Sequence, residues 1–376
     1  MKPRSRATLI KALEKSRDEK RAKWGTASVS LGNEHHDQSV VPSVSLMFDY
    51  KSGIGGLPYG AGVEVFGANT LGKTAAIAYP TIANVQKQGR LPALIAAEPI
   101  FDQDWAMQHG VDPELMLLQR PVDIDEGMDM LHDLVYENLV DYIVFDSIGA
   151  LAAKSAAAED GKMKAYGASP VITSGLNAVM PRLWRNNIGL LLINQQRQDT
   201  KGRKIANVTM YDSPGGEALH HHMAFRIHLK PGRTRYVDKI DGEEVVVGRE
   251  LIASFMKNKL AMNSKAARFE FWFRPVEKYG WRLGIDKAED IIRTGKASGV
   301  IKGASWLEHP AFPDGKVHGK PGLETFLHER PEVEDRIREE VLTKMRAEQV
   351  EAYSQARNAT AKVQTAPVPE ETDDDN

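Results

Sequence analysis

The chain has 376 residues, with 49 lysines and arginines against 51 aspartates and glutamates, so its formal net charge is −2. A total this close to zero is not that of a strongly basic protein that binds nucleic acid by charge alone. The lack of cysteine excludes disulfides, thiolate metal sites and a cysteine nucleophile. The charge is uneven, however, because residues 1–24 carry nine bases and three acids, and residues 366–376 carry five acids and no base.

The hydrophobic content of 42% and the charged content of 27% are typical of a globular protein with one large core and a smaller domain. The sequence contains no apolar run near the roughly 20 residues that a membrane span needs. The basic N-terminus is not followed by an apolar segment, so it does not have the pattern of a secretory signal. We expect a soluble, cytoplasmic protein without a membrane partner.

The first predicted element is a basic helix over residues 7–24, with Ile10 and Leu13 on one side. Continuous apolar runs of strand length then alternate with helical patterns. Such runs are typical of a parallel sheet covered by helices on both faces, so the predicted fold class is α/β. The predicted strands are residues 63–66, 92–98, 142–146 and 189–194.

After residue 216 the pattern changes to alternating strands, predicted over residues 225–229, 243–255 and 268–273, which favours antiparallel additions to the sheet. From residue 284 helical patterns return, interrupted by a loop rich in glycine and proline at 309–321 and resuming over 323–352. The segment after residue 354 is polar and acidic, which indicates disorder. We therefore predict a basic N-terminal helical segment (1–34), a core (35–283), a small α+β C-terminal domain (284–353) and a disordered acidic tail (354–376).

Residues 67–74 fit the pattern G-x-x-x-x-G-K-[ST], between a predicted strand and a helical run over 75–88. A chance glycine-rich turn is the alternative, and this context argues against it. In such a loop backbone N–H groups surround a phosphate, the lysine reaches the β- and γ-phosphates, and the hydroxyl binds Mg²⁺. The predicted nucleotide-binding loop comprises Gly67, Ala68, Asn69, Thr70, Leu71, Gly72, Lys73, Thr74 and Ala75.

Two acids end predicted strands at the same edge of the sheet. Asp146 ends YIVFD, where a carboxylate can complete a magnesium site with Thr74. Glu98 ends PALIAAE and has the chemistry of a general base for an attacking water. A solvated strand end is the alternative for Asp146, and the spacing alone leaves the role of Glu98 open.

The ordered segments GANTLGKT, AAEPIFDQDW, YIVFDS, LLINQQR, SPGGEAL and MKNK resemble the RecA-family DNA recombinases of bacteria and their viruses, over about residues 24–345. The resemblance implies a RecA-like P-loop ATPase core. The chain looks like a divergent member of the family, and one expectation is that a phage encodes it.

The resemblance assigns roles around ATP. It makes Lys73 and Thr74 the phosphate and magnesium residues, Glu98 the catalytic glutamate and Asp146 the Walker B acid. Asp102 and Trp105 fall where the family contacts and stacks on the adenine, with Trp105 replacing a tyrosine.

Three further residues match positions through which the family links ATP to its other partners. Gln195 matches the glutamine that senses the γ-phosphate and relays its presence to the adjoining DNA-binding loop. Lys257 and Lys259 match lysines that reach the ATP of the next subunit in a filament.

The resemblance also implies two DNA-binding loops, at about residues 155–167 and 196–213. In the second loop, basic side chains could bind phosphates, and the apolar side chains between them could contact nucleobases. Without the resemblance, a solvated loop is the simpler interpretation. The residues assigned to DNA are Lys162, Lys164, Tyr166, Arg197, Lys201, Arg203, Lys204, Gly215, Gly216 and Arg226.

Three departures from the family pattern stand out. Ala96 replaces an acid and Pro99 a common histidine on either side of Glu98, and because the glutamate itself is retained we expect ATP hydrolysis to be retained. His220 and His221 occupy the positions of a basic and an aromatic residue and are followed by His222. On a strand His220 and His222 would share a face, but two imidazoles alone are a weak metal site. The stretch 309–320 looks like an insertion without an assigned function.

The implied function is ATP-dependent homologous recombination. The protein would form filaments on single-stranded DNA, pair that strand with homologous duplex DNA, and hydrolyse ATP with Mg²⁺ to release it. The basic N-terminal helix would build the filament, with a solvated helix that approaches DNA as the alternative. A ring helicase on the same core and a small-molecule P-loop kinase are the other functional classes.

Overall fold

The computed structural model describes residues 6–24, 39–98, 101–154, 168–198, 211–262, 266–280 and 282–364. The helices are α1 (Arg6–Trp24), α2 (Leu46–Ser52), α3 (Tyr79–Lys87), α4 (Gln103–Gln108), α5 (Ile124–Glu137), α6 (Ala168–Asn186), α7 (Glu217–His222), α8 (Lys287–Ser298), α9 (Gly319–Glu329) and α10 (Glu332–Gln364). The strands are β1 (Val40–Val41), β2 (Leu57–Pro58), β3 (Gly62–Gly67), β4 (Pro92–Ala96), β5 (Leu117–Gln119), β6 (Tyr142–Asp146), β7 (Gly189–Gln195), β8 (Arg197–Gln198), β9 (Tyr211–Asp212), β10 (Phe225–Ile240), β11 (Glu243–Asn258), β12 (Ala267–Trp272), β13 (Gly284–Ile285), β14 (Trp306–Glu308) and β15 (Lys316–His318).

A nine-stranded sheet in the order β13-β12-β11-β10-β3-β7-β6-β4-β5 forms the centre of the molecule. The strands from β10 to β5 run parallel, and β11, β12 and β13 continue the sheet antiparallel. The predicted α/β class and the antiparallel extension are confirmed. Because β3, β4, β6 and β7 are parallel, their carboxyl ends lie along one edge, where ligands bind in open α/β sheets.

The sheet is covered on both faces because its strands carry apolar side chains in both directions. Val65, Val144 and Ile193 belong to one buried cluster, together with residues of α2, α3 and α8. Ile143 and Leu192 point to the other face and pack with residues of α5 and α6. Two-sided burial explains why these strands are continuous apolar runs in the sequence.

Local signals define the bounds of α5. The side chain of Asp123 accepts a hydrogen bond from the backbone N–H of Glu126 (2.8 Å) and caps the first turn. The helix ends at Asn138, whose φ of 54° lies in the left-handed region that asparagine tolerates. Between these two ends, α5 connects β5 to β6 and packs against α6 and β4.

The C-terminal part differs from the sequence prediction in two ways. The glycine- and proline-rich stretch is not a plain loop, because β14 and β15 pair as an antiparallel hairpin and α9 begins at residue 319. The segment 354–364, predicted to be disordered, continues α10 to Gln364. No glycine or proline occurs between residues 332 and 364, so nothing breaks the helix there. The predicted domain boundaries stay a prediction.

Within the described ranges, none of the helices is both long and apolar enough to cross a membrane.

Candidate nucleotide site and DNA-linked loops

The loop after β3 closes tightly against its neighbours. A Cβ atom added to Gly67 would collide with the carbonyl oxygen of Leu229 on β10, and one added to Gly72 would collide with the ring of Phe273. Gly72 also has a φ of 63°, which glycine adopts without the cost that a side chain imposes. The first and last glycines of the motif are therefore required by close approach, as in a loop that presents its backbone to a phosphate.

Lys73 lies inside this loop with only 7% of its surface exposed. Its Nζ donates hydrogen bonds to the carbonyl oxygens of Gly67 (3.1 Å) and Ala68 (3.0 Å). Burial lowers the pKa of the Lys73 ammonium, and the negative charges of Asp146 and Glu98 oppose that effect. The motif lysine is thus held at the centre of the loop with two acids near it.

Thr74 and Asp146 meet across the sheet edge, because the hydroxyl Oγ1 of Thr74 donates a hydrogen bond of 2.6 Å to Oδ2 of Asp146. Burial raises the pKa of Asp146 to about 6, and the charge of Glu98 adds to the rise, while the Thr74 bond and Lys73 act against it. A hydroxyl and a carboxylate side by side are oxygen ligands of the kind that Mg²⁺ prefers. The donor set at this point fits a hard divalent cation.

Glu98 follows β4 and is exposed at the same edge. Its side chain lines a small cavity together with Thr74, Tyr79 and Asp146. The structure therefore brings together the carboxylate predicted as the general base, the predicted magnesium ligands and the end of the phosphate loop.

Asp102 and Trp105, assigned to the adenine, lie at the start of α4. Asp102 caps this helix by accepting a hydrogen bond of 2.9 Å from the backbone N–H of Trp105. The Trp105 ring is partly exposed and packs edge-on against His109, with ring centroids 4.6 Å apart. Their roles at a base stay a prediction.

Gln195 ends β7 directly beside the phosphate loop, since it is the strand partner of Gly67. The next residue, Gln196, donates its backbone N–H to the carbonyl oxygen of Gly67 (3.1 Å). The residue predicted to sense a γ-phosphate and the start of the second predicted DNA loop therefore adjoin the nucleotide loop.

The predicted DNA-binding residues are only partly within the described chain. Arg197 is exposed on β8, and Gly215 and Gly216 precede α7. Arg226 is not at the surface, because only 8% of it is exposed and its guanidinium forms ion pairs with Glu64 and Asp212. The other six residues lie outside the described ranges: Lys162, Lys164, Tyr166, Lys201, Arg203 and Lys204.

Lys257 and Lys259 contact their own chain at the end of α7. Lys257 donates to the carbonyl oxygen of His220, and Lys259 donates to that of His221 (2.6 Å). Burial, together with the charge of Lys259, lowers the pKa of Lys257 to about 8. Their predicted contact with a neighbouring subunit's ATP stays a prediction.

The three adjacent histidines lie on helix α7 and not on a strand, so His220 and His222 do not share a strand face. Nε2 of His220 lies 3.2 Å from Oδ1 of Asp212, and Nε2 of His222 lies 2.6 Å from Oδ1 of Asn177. In the part of the chain that the structure describes, there is no group of three or more histidine, aspartate or glutamate side chains that could hold a metal ion.

Sequence reasoning missed a set of polar residues beneath the phosphate loop. Glu64, Asn194 and His228 are polar side chains that are buried in the central strands β3, β7 and β10. A charged residue inside the run VEVF is the signal that could have identified Glu64, because buried charges are nearly always paired.

Comparison with known proteins extends the match beyond the loop. Residues 11–275 match the family described as RecA N-terminal domain. A Protein RecA from Thioalkalivibrio sulfidiphilus is 31% identical over 328 residues, which cover 85% of this chain and 89% of that protein. One from Thermus aquaticus is 30% identical over 310 residues, covering 81% and 84%. One from Mesomycoplasma hyopneumoniae is 27% identical over 346 residues, covering 91% and 97%.

Proposed function

Since the chain belongs to the RecA family, we propose that this recombinase, a DNA-dependent ATPase, assembles into helical filaments on single-stranded DNA and pairs that strand with homologous duplex DNA. ATP hydrolysis, supported by Mg²⁺, releases the DNA. The protein acts in the cytoplasm, and a phage origin is part of the prediction.

One observation carries this proposal. Lys73, Thr74, Glu98 and Asp146 lie together at the edge of the sheet where Gln195 also ends its strand. An ATPase needs the first four groups, and a nucleotide signal to DNA needs the fifth at the same place. A kinase that acts on a small molecule does not require a connection between its phosphate site and a DNA-binding loop, so the position of Gln195 argues against that class.

The residues at this edge divide the work of hydrolysis. The loop backbone and Lys73 would bind the phosphates of ATP, and Thr74 and Asp146 would hold Mg²⁺, which would supply positive charge to the reaction. Glu98 orients the attacking water and takes its proton on a carboxylate oxygen. Positioning and charge account for most of the catalysis in phosphoryl transfer, so a rigid loop is well suited to the task.

Assembly places the nucleotide between subunits. We assign Lys257 and Lys259 to the ATP of the adjacent subunit. In the filament these lysines would donate to phosphate oxygens in place of the carbonyl oxygens of α7. Nucleotide contacts of this kind can set the geometry of a filament in two states. Helix α1 has exposed apolar side chains, with Ile10 40% and Leu13 58% exposed, which suits docking on a neighbouring subunit.

The test is ATPase activity with and without single-stranded DNA, followed by D-loop formation with homologous duplex. We expect DNA to stimulate hydrolysis and D-loops to require ATP. Electron microscopy with ATP and single-stranded DNA should show helical filaments. Closed rings that unwind duplex DNA would favour a helicase, and hydrolysis that ignores DNA would favour a kinase.

A further inference from the structure

Three neighbouring strands carry polar side chains on one face of the sheet, directly beneath the phosphate loop. Glu64 on β3 and Asn194 on β7 are fully buried, and Arg226 and His228 on β10 are 8% and 4% exposed. Strand pairing sets Arg226 opposite Glu64 and His228 opposite Phe66. Because buried polar groups are costly unless bonded, their partners show what this cluster holds in place.

Arg226 and Asn194 reach the far end of the second predicted DNA loop. Arg226 Nε donates to Oε2 of Glu64 (2.7 Å), and its Nη2 donates to Oδ1 of Asp212 (2.8 Å) and to Oγ of Ser213 (2.9 Å). Nδ2 of Asn194 donates to Oε1 of Glu64 (2.9 Å) and to the carbonyl oxygen of Pro214 (2.8 Å). Glu64, three residues before the phosphate loop, is thus tied to residues 212–214.

His228 reaches the near end of the same loop. Its ring stacks on Phe66, with centroids 4.7 Å apart and planes 9° from parallel. Its Nε2 lies 3.0 Å from Oε1 of Gln196, the residue that follows Gln195. Burial lowers the pKa of His228 to about 4, so the ring is neutral at pH 7 and Nε2 carries the proton that the amide oxygen accepts.

The strand that leads into the phosphate loop is therefore attached to both ends of the segment 196–213. Phe66 immediately precedes Gly67 and stacks on His228, so the backbone that enters the phosphate loop is connected through this ring to Gln196. A neutral hydrogen bond to a partly buried partner can be made or broken without leaving an unpaired charge. The Glu64–Arg226 pair cannot, which suits it to be the fixed point of the attachment.

We propose that His228 is a positioning residue that couples the nucleotide at the phosphate loop to the DNA-binding segment 196–213, by linking Phe66 to Gln196 while Arg226 anchors the other end. The proposal rests on the function proposed above. It adds a route through β10 to the direct one through Gln195 along β7. His228 touches neither ATP nor DNA in this role.

The experiment measures the dissociation constant for a fluorescent oligo-dT with ADP and with ATPγS. The quantity compared is the ADP value divided by the ATPγS value. His228→Leu keeps an apolar contact with Phe66 and removes the bond, and Gln196→Leu removes it from the partly exposed side. Each variant should lower the ratio about three- to tenfold, the effect of one neutral hydrogen bond, and the double variant no further. His132→Leu, which removes another stacked histidine, on α5, should leave the ratio unchanged.

A ratio equal to the wild-type ratio in both single variants would overturn the proposal. Equal weakening with both nucleotides would do so too, because it indicates a structural role alone. If His228→Leu does not fold, the ratio measured for Gln196→Leu tests the proposal alone. A wild-type protein whose DNA affinity ignores the nucleotide would instead contradict the proposed function itself.

Discussion

The hydroxyl of Thr74 and the carboxylate of Asp146 are joined by a hydrogen bond of 2.6 Å, although 72 residues separate them in the chain. One ends the phosphate loop and the other ends β6. Because the parallel strands β3 and β6 end at one edge of the sheet, this contact follows from the topology. It sets the two proposed magnesium ligands side by side.

Asp146→Asn should raise the Mg²⁺ concentration needed for half-maximal ATPase activity by at least about tenfold, because the amide removes a ligand's negative charge. Titration of the ATPase rate with MgCl₂ measures the shift. The matched control is Asp141→Asn, just before the amino end of the same strand, where Asp141 accepts a bond from the backbone N–H of Leu91. Superimposable magnesium curves for Asp146→Asn and wild type would remove Asp146 from the metal site.

Lys73→Ala should lower kcat/KM for ATP by about 10²–10³-fold and abolish ATP-dependent filaments and strand exchange, since a buried cation at the phosphates is lost. Lys87→Ala, on the exposed side of α3, is the control and should behave as wild type. The measurement is joint-molecule yield alongside the ATPase rate. Full joint-molecule yield from Lys73→Ala would contradict the assignment.

Glu98→Gln should reduce kcat by about 10²–10⁴-fold, the usual contribution of a general base, without weakening ATP-dependent binding to single-stranded DNA. Filaments made with this variant should therefore persist in ATP. Single-turnover hydrolysis and filament lifetime by microscopy test this, with the exposed Glu114→Gln as control. Wild-type turnover in Glu98→Gln would show that another group takes the proton.

The central strands and the phosphate loop could be predicted because their signals are local. Runs such as YIVFD are buried on both faces, and the glycine spacing defines the loop without reference to the rest of the chain. The parallel order then placed Glu98 and Asp146 correctly at one edge.

The contacts of Arg226 and His228 could not be predicted, because they depend on partners 13 to 162 residues away whose register only the folded sheet sets. Arg226 was assigned to DNA from the resemblance, yet its buried partner Glu64 holds it inside. The hairpin of β14 and β15 was missed for a similar reason. His309 at the base of the hairpin is buried against Glu340 of α10 (Nε2 to Oε2, 2.9 Å). The glycine- and proline-rich composition of this stretch does not predict such a contact.

Deleting residues 366–376 should tighten binding to duplex DNA and lower the Mg²⁺ needed for strand invasion, because five acids would no longer compete with DNA for basic surfaces. This tail lies outside the described residues. A full-length variant with the acids changed to their amides should match the deletion if charge is the cause. Duplex affinity over a salt series is the measurement, and an unchanged affinity in both forms would exclude competition by the tail.

The junction of α2 and α8 should make stability depend on pH. Asp290 is buried and accepts hydrogen bonds from Oγ of Ser45 (2.7 Å) and the backbone N–H of Leu46 (2.6 Å). Burial raises its pKa from 3.8 to about 7, with the charge of Asp49 adding to the rise. The folded protein therefore holds a proton that the unfolded chain has lost, and this stabilising contribution disappears as pH rises through about 7.

Asp290→Asn removes this titration. The free energy of unfolding of the variant, relative to that of wild type, should therefore increase by about 3 kcal/mol from pH 5 to pH 8, whatever the exchanged hydrogen bond costs. Urea unfolding at several pH values measures the difference. Asp314→Asn, at an exposed turn of the β14–β15 hairpin, should leave the pH profile unchanged. Parallel profiles for Asp290→Asn and wild type would mean that Asp290 stays ionised in the folded protein, with Ser45 and Leu46 sufficient to hold the charge.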